Sequence, residues 1–92
     1  MTTRKITILG RNNHGEAMRV AAGLTIYGHE VRIVFMNEPV SENEENAKHA
    51  ELLELADIIP ETTVSEMAYA LPFLDSATLA QVINESDHII TI

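Results

Sequence analysis

One β-α-β unit, residues 5–36, constrains the fold of this chain more than any other feature of its sequence. The apolar run KITILG is followed by the polar turn RNNHG, the helix-forming stretch EAMRVAAGLTIYG and a second apolar run, HEVRIVFM. Two short apolar runs that flank a helix of about a dozen residues indicate parallel strands joined by a crossover. Ligands of such sheets bind outside the carboxyl ends of the strands. The unit therefore predicts where a binding site lies.

The first two helices are predicted from their ends. The first begins at His14 or Gly15 and ends at Tyr27, with Gly28 as its left-handed cap. The second runs over residues 42–55, because a serine and a glutamate three residues apart match a capping box. The capping-box residues are Ser41 and Glu44, and the apolar residues expected to face the sheet are Ala47, Ala50, Leu53 and Leu52.

The second half of the chain continues the alternation of strands and helices. A short third strand is expected at Ala56–Ile59, a third helix over Val64–Leu71 and a fourth helix over residues 77–85, capped by Asp75 or Ser76. The final HIITI is expected to form a buried strand. Without an Asn-Gly or Asp-Gly hairpin signal, this order predicts an α/β fold.

We expect one domain, residues 1–92, in three layers: a mainly parallel sheet of four or five strands with helices on both faces. The strand residues expected to be buried are Ile6, Ile8, Val31, Ile33, Phe35, Ile58, Ile89 and Ile90.

Charge and composition exclude several functional classes. The net charge of −8 and six scattered basic residues argue against a nucleic-acid partner, which requires clustered Lys and Arg. No apolar run approaches the roughly 20 residues that span a bilayer, so no membrane association is expected. The first residues, MTTRK, lack the apolar stretch of a signal peptide, and cysteine is absent. A cytoplasmic protein without thiol chemistry is expected.

The candidate ligand site is the loop after the first strand together with the end of the second. Residues 10–15 (GRNNHG) are similar to the dinucleotide fingerprint G-x-G-x-x-G, but Asn12 replaces the middle glycine that lets a pyrophosphate approach. The loop still places backbone N–H groups at a helix N-terminus, a generic anion site, in which His14 is a further donor or proton carrier. The candidate ligand-binding residues are Asn12, Asn13, His14, Gly15, Asn37 and Glu38.

No other catalytic or metal-binding pattern is found in the sequence. The remaining histidines have no metal-ligand spacing, and the serines are explained as helix caps. No metal and no cofactor are therefore predicted. An enzyme that uses His14 or Glu38 as an acid or base needs a second group beside it, which the sequence does not show.

Two segments resemble the DsrE/DsrF-like family of small sulfur-relay proteins: AAGLTIYGHEVRIVFM and the ending ESDHIITI. That family has an alanine-rich first helix, a GHEV-type entry into the second strand and a terminal strand preceded by an acidic residue and Asp. The resemblance implies a flavodoxin-like fold, assembly into trimers or hexamers and, in active members, a persulfide-carrying cysteine near the third strand. Here residues 60–63 read PETT, without the thiolate that carries sulfur.

The leading interpretation is a non-catalytic DsrE/DsrF-like protein, a homo-oligomer or a companion of a cysteine-bearing relative, in sulfur transfer or sulfur metabolism. The alternative is a module that binds a small molecule, an anion or a nucleotide through the loop after the first strand. For the assembly we expect an interface near the segment 64–73, because it carries more large apolar residues than one short helix buries. These residues are Met67, Tyr69, Leu71 and Phe73.

Overall fold

The computed structural model describes residues 4–41 and 43–92, and its centre is a four-stranded parallel sheet. The strand order is β3-β2-β1-β4, and every pair of neighbouring strands is parallel, as the β-α-β unit predicts. The strands are β1 (Lys5–Gly10), β2 (Glu30–Phe35), β3 (Glu61–Thr62) and β4 (His88–Thr91).

Three helices connect these strands: α1 (His14–Ile26), α2 (Glu44–Leu55) and α3 (Ser76–Glu85). The chain is thus an α/β fold, compatible with the flavodoxin-like class. The order adds a detail that was not predicted, because β1 lies between β2 and β4. The order 3-2-1-4 is also that of the first four strands of dinucleotide-binding sheets.

Side-chain caps begin each helix. Asn13 caps α1, accepting a hydrogen bond from the Glu16 N–H at 3.1 Å, and Asp75 caps α3 as predicted. The predicted Ser41 cap of the second helix is wrong: Asn43 caps α2, because its side chain accepts from the Asn46 N–H at 2.8 Å. The predicted start at residue 42 lies outside the described residues.

The core consists of two hydrophobic clusters that share the sheet. Ile8 and Ile33 are fully buried in a first cluster with residues of α1 and α2, whereas Leu9 and Val34 are buried in a second cluster with Val82 of α3. Adjacent residues of one strand point to opposite faces of the sheet, which explains why Ile8 and Leu9 separate in this way. Of the eight strand residues expected in the core, seven lie in or against the first cluster. Two of these seven, Val31 and Ile90, are half-buried.

The exception is Ile89, which is 38% exposed, so its predicted burial is wrong. β4 is an edge strand with β1 as its neighbour on one side. The second cluster is centred on Leu9 and Val34 of the two inner strands, and the outer strand receives less cover from α3. Ile90, the next residue, is half-buried against the first cluster.

The predicted third strand, Ala56–Ile59, is also wrong, because these residues complete the end of α2. Asp57 adopts a left-handed conformation (φ 58°), and the Ile58 N–H donates to the Leu53 carbonyl at 2.9 Å. Together with the bond from the Asp57 N–H to the Glu54 carbonyl, this is a Schellman motif. Ile58 is buried, as expected, but as the apolar partner of Leu53 in this motif.

The third strand therefore follows Pro60 and consists of Glu61–Thr62. Thr62 is fully buried; its hydroxyl donates to the Phe35 carbonyl at 3.1 Å and accepts from the Val64 N–H at 2.9 Å. The chain then leaves the sheet and returns, since the Leu74 N–H donates to the Thr62 carbonyl at 2.8 Å.

The predicted helix over Val64–Leu71 is wrong as well. This excursion forms a single 3-10 turn, Ser65–Met67, followed by further turns. Because Val64 is tied to the Thr62 hydroxyl and residue 72 is a proline that accepts from the Thr62 N–H, both ends of the segment are held at β3. The few residues between these two anchored ends form turns in place of a regular helix.

Across residues 4–41 and 43–92, no helix combines the length and the apolar character required to cross a membrane.

The backbone conformations of Asp57 and Gly28 give a paired test of this fold. Both have positive φ, 58° and 85°, which costs an L side chain free energy that glycine does not pay. We expect Asp57→Gly to raise the free energy of unfolding by about 0.5–1 kcal/mol and Gly28→Ala to lower it by about 1 kcal/mol. Urea denaturation of the two variants measures both changes; a destabilised Asp57→Gly protein would contradict the Schellman assignment.

Candidate functional site

The residues predicted to form a ligand site do converge at the carboxyl ends of β1 and β2. The Asn37 side-chain amide donates to the Arg11 carbonyl at 3.1 Å, joining the two loops that follow these strands. A second bond, from His14 Nε2 to the Met36 carbonyl at 3.2 Å, joins them again. The two loops predicted to carry the site therefore meet at this edge of the sheet.

His14 faces inward. The residue is 8% exposed, and its ring meets the Phe35 ring edge to face, with centroids 5.3 Å apart. A carbonyl oxygen accepts hydrogen bonds and cannot donate them, so His14 Nε2 carries the hydrogen of the bond to Met36. The buried imidazole thus links α1 to the end of β2. This structural role differs from the expected role of His14 as a ligand donor or proton carrier in the loop.

The backbone N–H groups of the loop are also engaged. Those of Arg11 and Asn12 donate to the main-chain oxygen of Ile92 at 2.7 and 2.9 Å. The expectation that they are free to receive an anion is wrong, because β4 pairs in parallel with β1 and so carries Ile92 to this loop. The side chain of Asn12 is exposed.

The glycines of the loop serve close packing. A Cβ built on Gly15 would lie 2.8 Å from Oδ1 of Asn46, and one built on Gly10 would lie 3.2 Å from the Cβ of Ala17. Gly15 thus lets the start of α1 approach α2, and Gly10 lets β1 approach α1. The fingerprint-like spacing is explained by these contacts and by Asn13, the cap of α1.

Asn37 and Glu38 form a tight turn after β2. Asn37 has φ 72°, and the Glu38 N–H donates to the Met36 carbonyl at 2.9 Å. This three-residue turn is rare, and it places the Asn37 amide on the Arg11 carbonyl. The Glu38 side chain is exposed at the same edge. All six candidate residues thus make structural contacts, through side chain, backbone or close packing.

An open, mainly apolar concavity lies elsewhere, between α2 and residues 65–71. We call it the α2 groove. It has a volume of about 490 Å³ and continues into a neighbouring cleft of about 550 Å³ past Tyr69. Core residues Phe35 and Leu53 form its base, and the exposed alanines of α2, Ala47 and Ala50, form one side. The opposite side consists of Val40, Met67 and Leu71.

The sequence pattern does not predict this groove, because it places Ala47 and Ala50 in contact with the sheet. Leu53 is the residue of α2 that is buried, whereas both alanines are exposed and Leu52 is 43% exposed. Small side chains leave the face of α2 open. The signal that could have revealed it is that a glutamate follows each alanine one turn later on the helix, Glu51 after Ala47 and Glu54 after Ala50, since a buried face rarely carries charge.

A polar cleft of about 300 Å³ separates the N-termini of α1 and α2. It contains Glu16, whose hydrogen bond from Arg19 lowers the pKa of the carboxyl below its ordinary value, and His49, whose Nδ1 is buried without a hydrogen-bond partner among the described residues. Within residues 4–41 and 43–92 no three His, Cys, Asp or Glu side chains cluster in a way that would hold a metal ion.

Comparison with protein families, with curated proteins and with solved structures found no match to this chain.

Replacement of His14 tests its structural role. We expect His14→Ala to lower the free energy of unfolding by about 1–3 kcal/mol, because it removes a buried ring and the hydrogen bond to Met36. His88→Ala, at an exposed position of β4, is the control and should change stability by less than about 0.5 kcal/mol. Chemical denaturation measures both. Equal, small effects would return His14 to the list of candidate ligand groups.

Proposed function

We propose that this chain is a non-catalytic binding subunit that acts by holding a protein partner. The observation that carries the proposal is a contrast between two places. At the carboxyl edge of the sheet, the loop N–H groups, the His14 ring and the Asn37 amide already have partners within the chain. At the α2 groove, two alanines are exposed and three larger apolar side chains on the opposite side are half-buried. Contiguous exposed apolar surface is typical of interaction sites.

Within this proposal, the partner we favour is a cysteine-bearing DsrE/DsrF-like relative in a sulfur relay. The basis is the resemblance of the two terminal segments and the absence of cysteine from all 92 residues, which leaves the sulfur-carrying step to another protein. Association into a homo-oligomer through residues 64–73 stays a prediction. Tyr69, 86% exposed, and Phe73, 48% exposed, supply apolar surface for either assembly.

We also infer a three-layer architecture for this subunit, with α1 and α2 on one face of the sheet and α3 on the other. The separation of neighbouring strand residues Ile8 and Leu9 into two hydrophobic clusters, with different helices, supports it. In this arrangement the α2 groove and α3 lie on opposite sides of the sheet, so a partner in the groove leaves α3 free.

The second candidate function is a module that binds a nucleotide or another anion. The strand order favours it, because the carboxyl ends of β1 and β4 flank the position at which dinucleotide-binding sheets hold their ligand. Such a ligand would have to displace the main-chain oxygen of Ile92 from the N–H groups of Arg11 and Asn12.

Co-elution tests the leading proposal. The purified chain is mixed with the cysteine-bearing relative encoded nearest to its gene, and the masses are measured by light scattering after size-exclusion chromatography. We expect one complex heavier than either protein, and no labelled sulfur on this chain after the relative is loaded with persulfide. Separate elution of the two proteins over the micromolar range would reject this partner.

Thermal denaturation with ligands decides the second candidate. We expect inorganic phosphate and NAD to leave the midpoint of unfolding unchanged, since the loop N–H groups are already bonded. A ligand that binds only the native state raises the midpoint in a concentration-dependent way. A rise with phosphate or NAD that is lost in an Asn12→Pro variant, which removes one of these N–H groups, would favour the second candidate.

A further inference from the structure

We propose that the α2 groove binds a polypeptide segment in which large apolar side chains are flanked by Lys or Arg. This inference rests on the proposed binding function and names the chemistry of the partner. It follows from the shape of the groove, the charge around it and the poor fit of other occupants.

The shape of the groove suits a row of apolar side chains from a bound segment. Ala47 and Ala50 are one turn apart on α2 and leave space above the buried Leu53. Met67, on the opposite side, is held there because its sulfur accepts a hydrogen bond from the Val40 N–H at 3.4 Å. Methionine adapts its shape to different apolar partners. An apolar row from a helix, inserted between two such sides, is a common mode of peptide recognition.

The charge around the groove has one sign. Glu51 and Glu54 project from α2 at one side, and Glu66 lies in the 3-10 turn beside the neighbouring cleft; all three are exposed. Among residues 4–41 and 43–92, no Lys or Arg lines either concavity. Complementary charge at the rim of an interface speeds association and selects partners. The groove therefore favours basic residues on both sides of an apolar row.

A second copy of this chain fits this chemistry poorly. Each copy carries a net charge of −8, and two of its six basic side chains are already paired. Arg32 donates two hydrogen bonds to Glu61, at 3.0 and 2.8 Å, and Arg19 is paired with Glu16. Two copies meeting at this groove would bring like charges together, which opposes association.

The first experiment uses two synthetic amphipathic peptides, one of leucine and lysine and one in which glutamate replaces every lysine. Binding to the full chain is followed by amide chemical shifts. We expect the lysine peptide to bind in the micromolar range and to shift the amides of Ala47, Ala50, Met67 and Leu71. The glutamate peptide should not bind. Equal binding of both peptides, or shifts confined to the loop after β1, would overturn the inference.

Two variants test the site with a matched control. Ala47→Phe fills the groove, and we expect it to weaken binding of the lysine peptide about tenfold or more. Glu51→Lys reverses one charge at the groove and should weaken binding at low salt, with a smaller effect at about 0.15 M salt. Glu45→Lys makes the same change on the same helix but at the polar cleft, so affinity should stay within about twofold of the wild type.

If Ala47→Phe fails to fold, as judged by circular dichroism, the comparison of Glu51→Lys with Glu45→Lys decides the matter alone. Equal affinities of these two variants would overturn the inference. Dodecylamine is added as a small cationic amphiphile; groove shifts with it and none with the lysine peptide would replace the polypeptide by a small ligand. Dimerisation of the chain that Ala47→Phe abolishes would assign the groove to a second copy and would also overturn the inference.

Failure of this inference is distinguishable from failure of the proposed function. If the chain co-elutes with the cysteine-bearing relative and Ala47→Phe does not disturb that complex, the binding function stands and the groove is not its site. If the lysine peptide binds the groove but the relative does not co-elute, the partner chemistry stands and the sulfur-relay partner is rejected. If neither binds, both proposals fail.

Discussion

The rest of the structure depends on the hydrogen-bonded position of β1 in the middle of the sheet. β1 pairs with β2 on one side and β4 on the other, and its residues Ile8 and Leu9 enter different hydrophobic clusters. Because β4 runs parallel to β1, Ile92 lies beside the loop that follows β1. The strand pairing that forms the core thus also gives the loop N–H groups their hydrogen-bond acceptor. The polar groups at the carboxyl edge of the sheet therefore stabilise the fold.

The sequence predicts those parts of the fold that local signals determine. The β-α-β unit, the Gly28 end of α1, the Asp75 cap of α3 and the last strand all follow from apolar periodicity and capping. The errors share a different cause, since the strand at Ala56–Ile59 and the helix at Val64–Leu71 depend on what the chain meets in three dimensions. The αL conformation of Asp57 and the anchoring of Thr62 to Phe35 are not visible in a pattern of apolar residues.

For the candidate site, too, the location follows from the sequence, whereas the orientation of the polar groups does not. Parallel strands bring their carboxyl ends together, so the meeting of the loops at residues 11–15 and 36–38 was predictable. Whether each polar group there faces a ligand or a neighbour depends on packing. His14 points inward to the Met36 carbonyl, and Asn37 donates to the Arg11 carbonyl, so both side chains have their hydrogen-bond partners within the chain. The α2 groove, by contrast, results from side chains too small to close a gap.

Gly15 controls the position of α2 from outside the groove. A side chain at this position would meet Oδ1 of Asn46, whose amide donates to the Ser41 carbonyl at 2.8 Å, so either the Asn46 side chain gives up that hydrogen bond or the start of α2 moves away from α1. Asn46 borders the polar cleft on one side and the groove on the other. Either change would alter the wall of the groove at Asn46. The shape of the groove thus depends on the contact between α1 and α2, and it can be altered from Gly15, a residue that lines the polar cleft and not the groove.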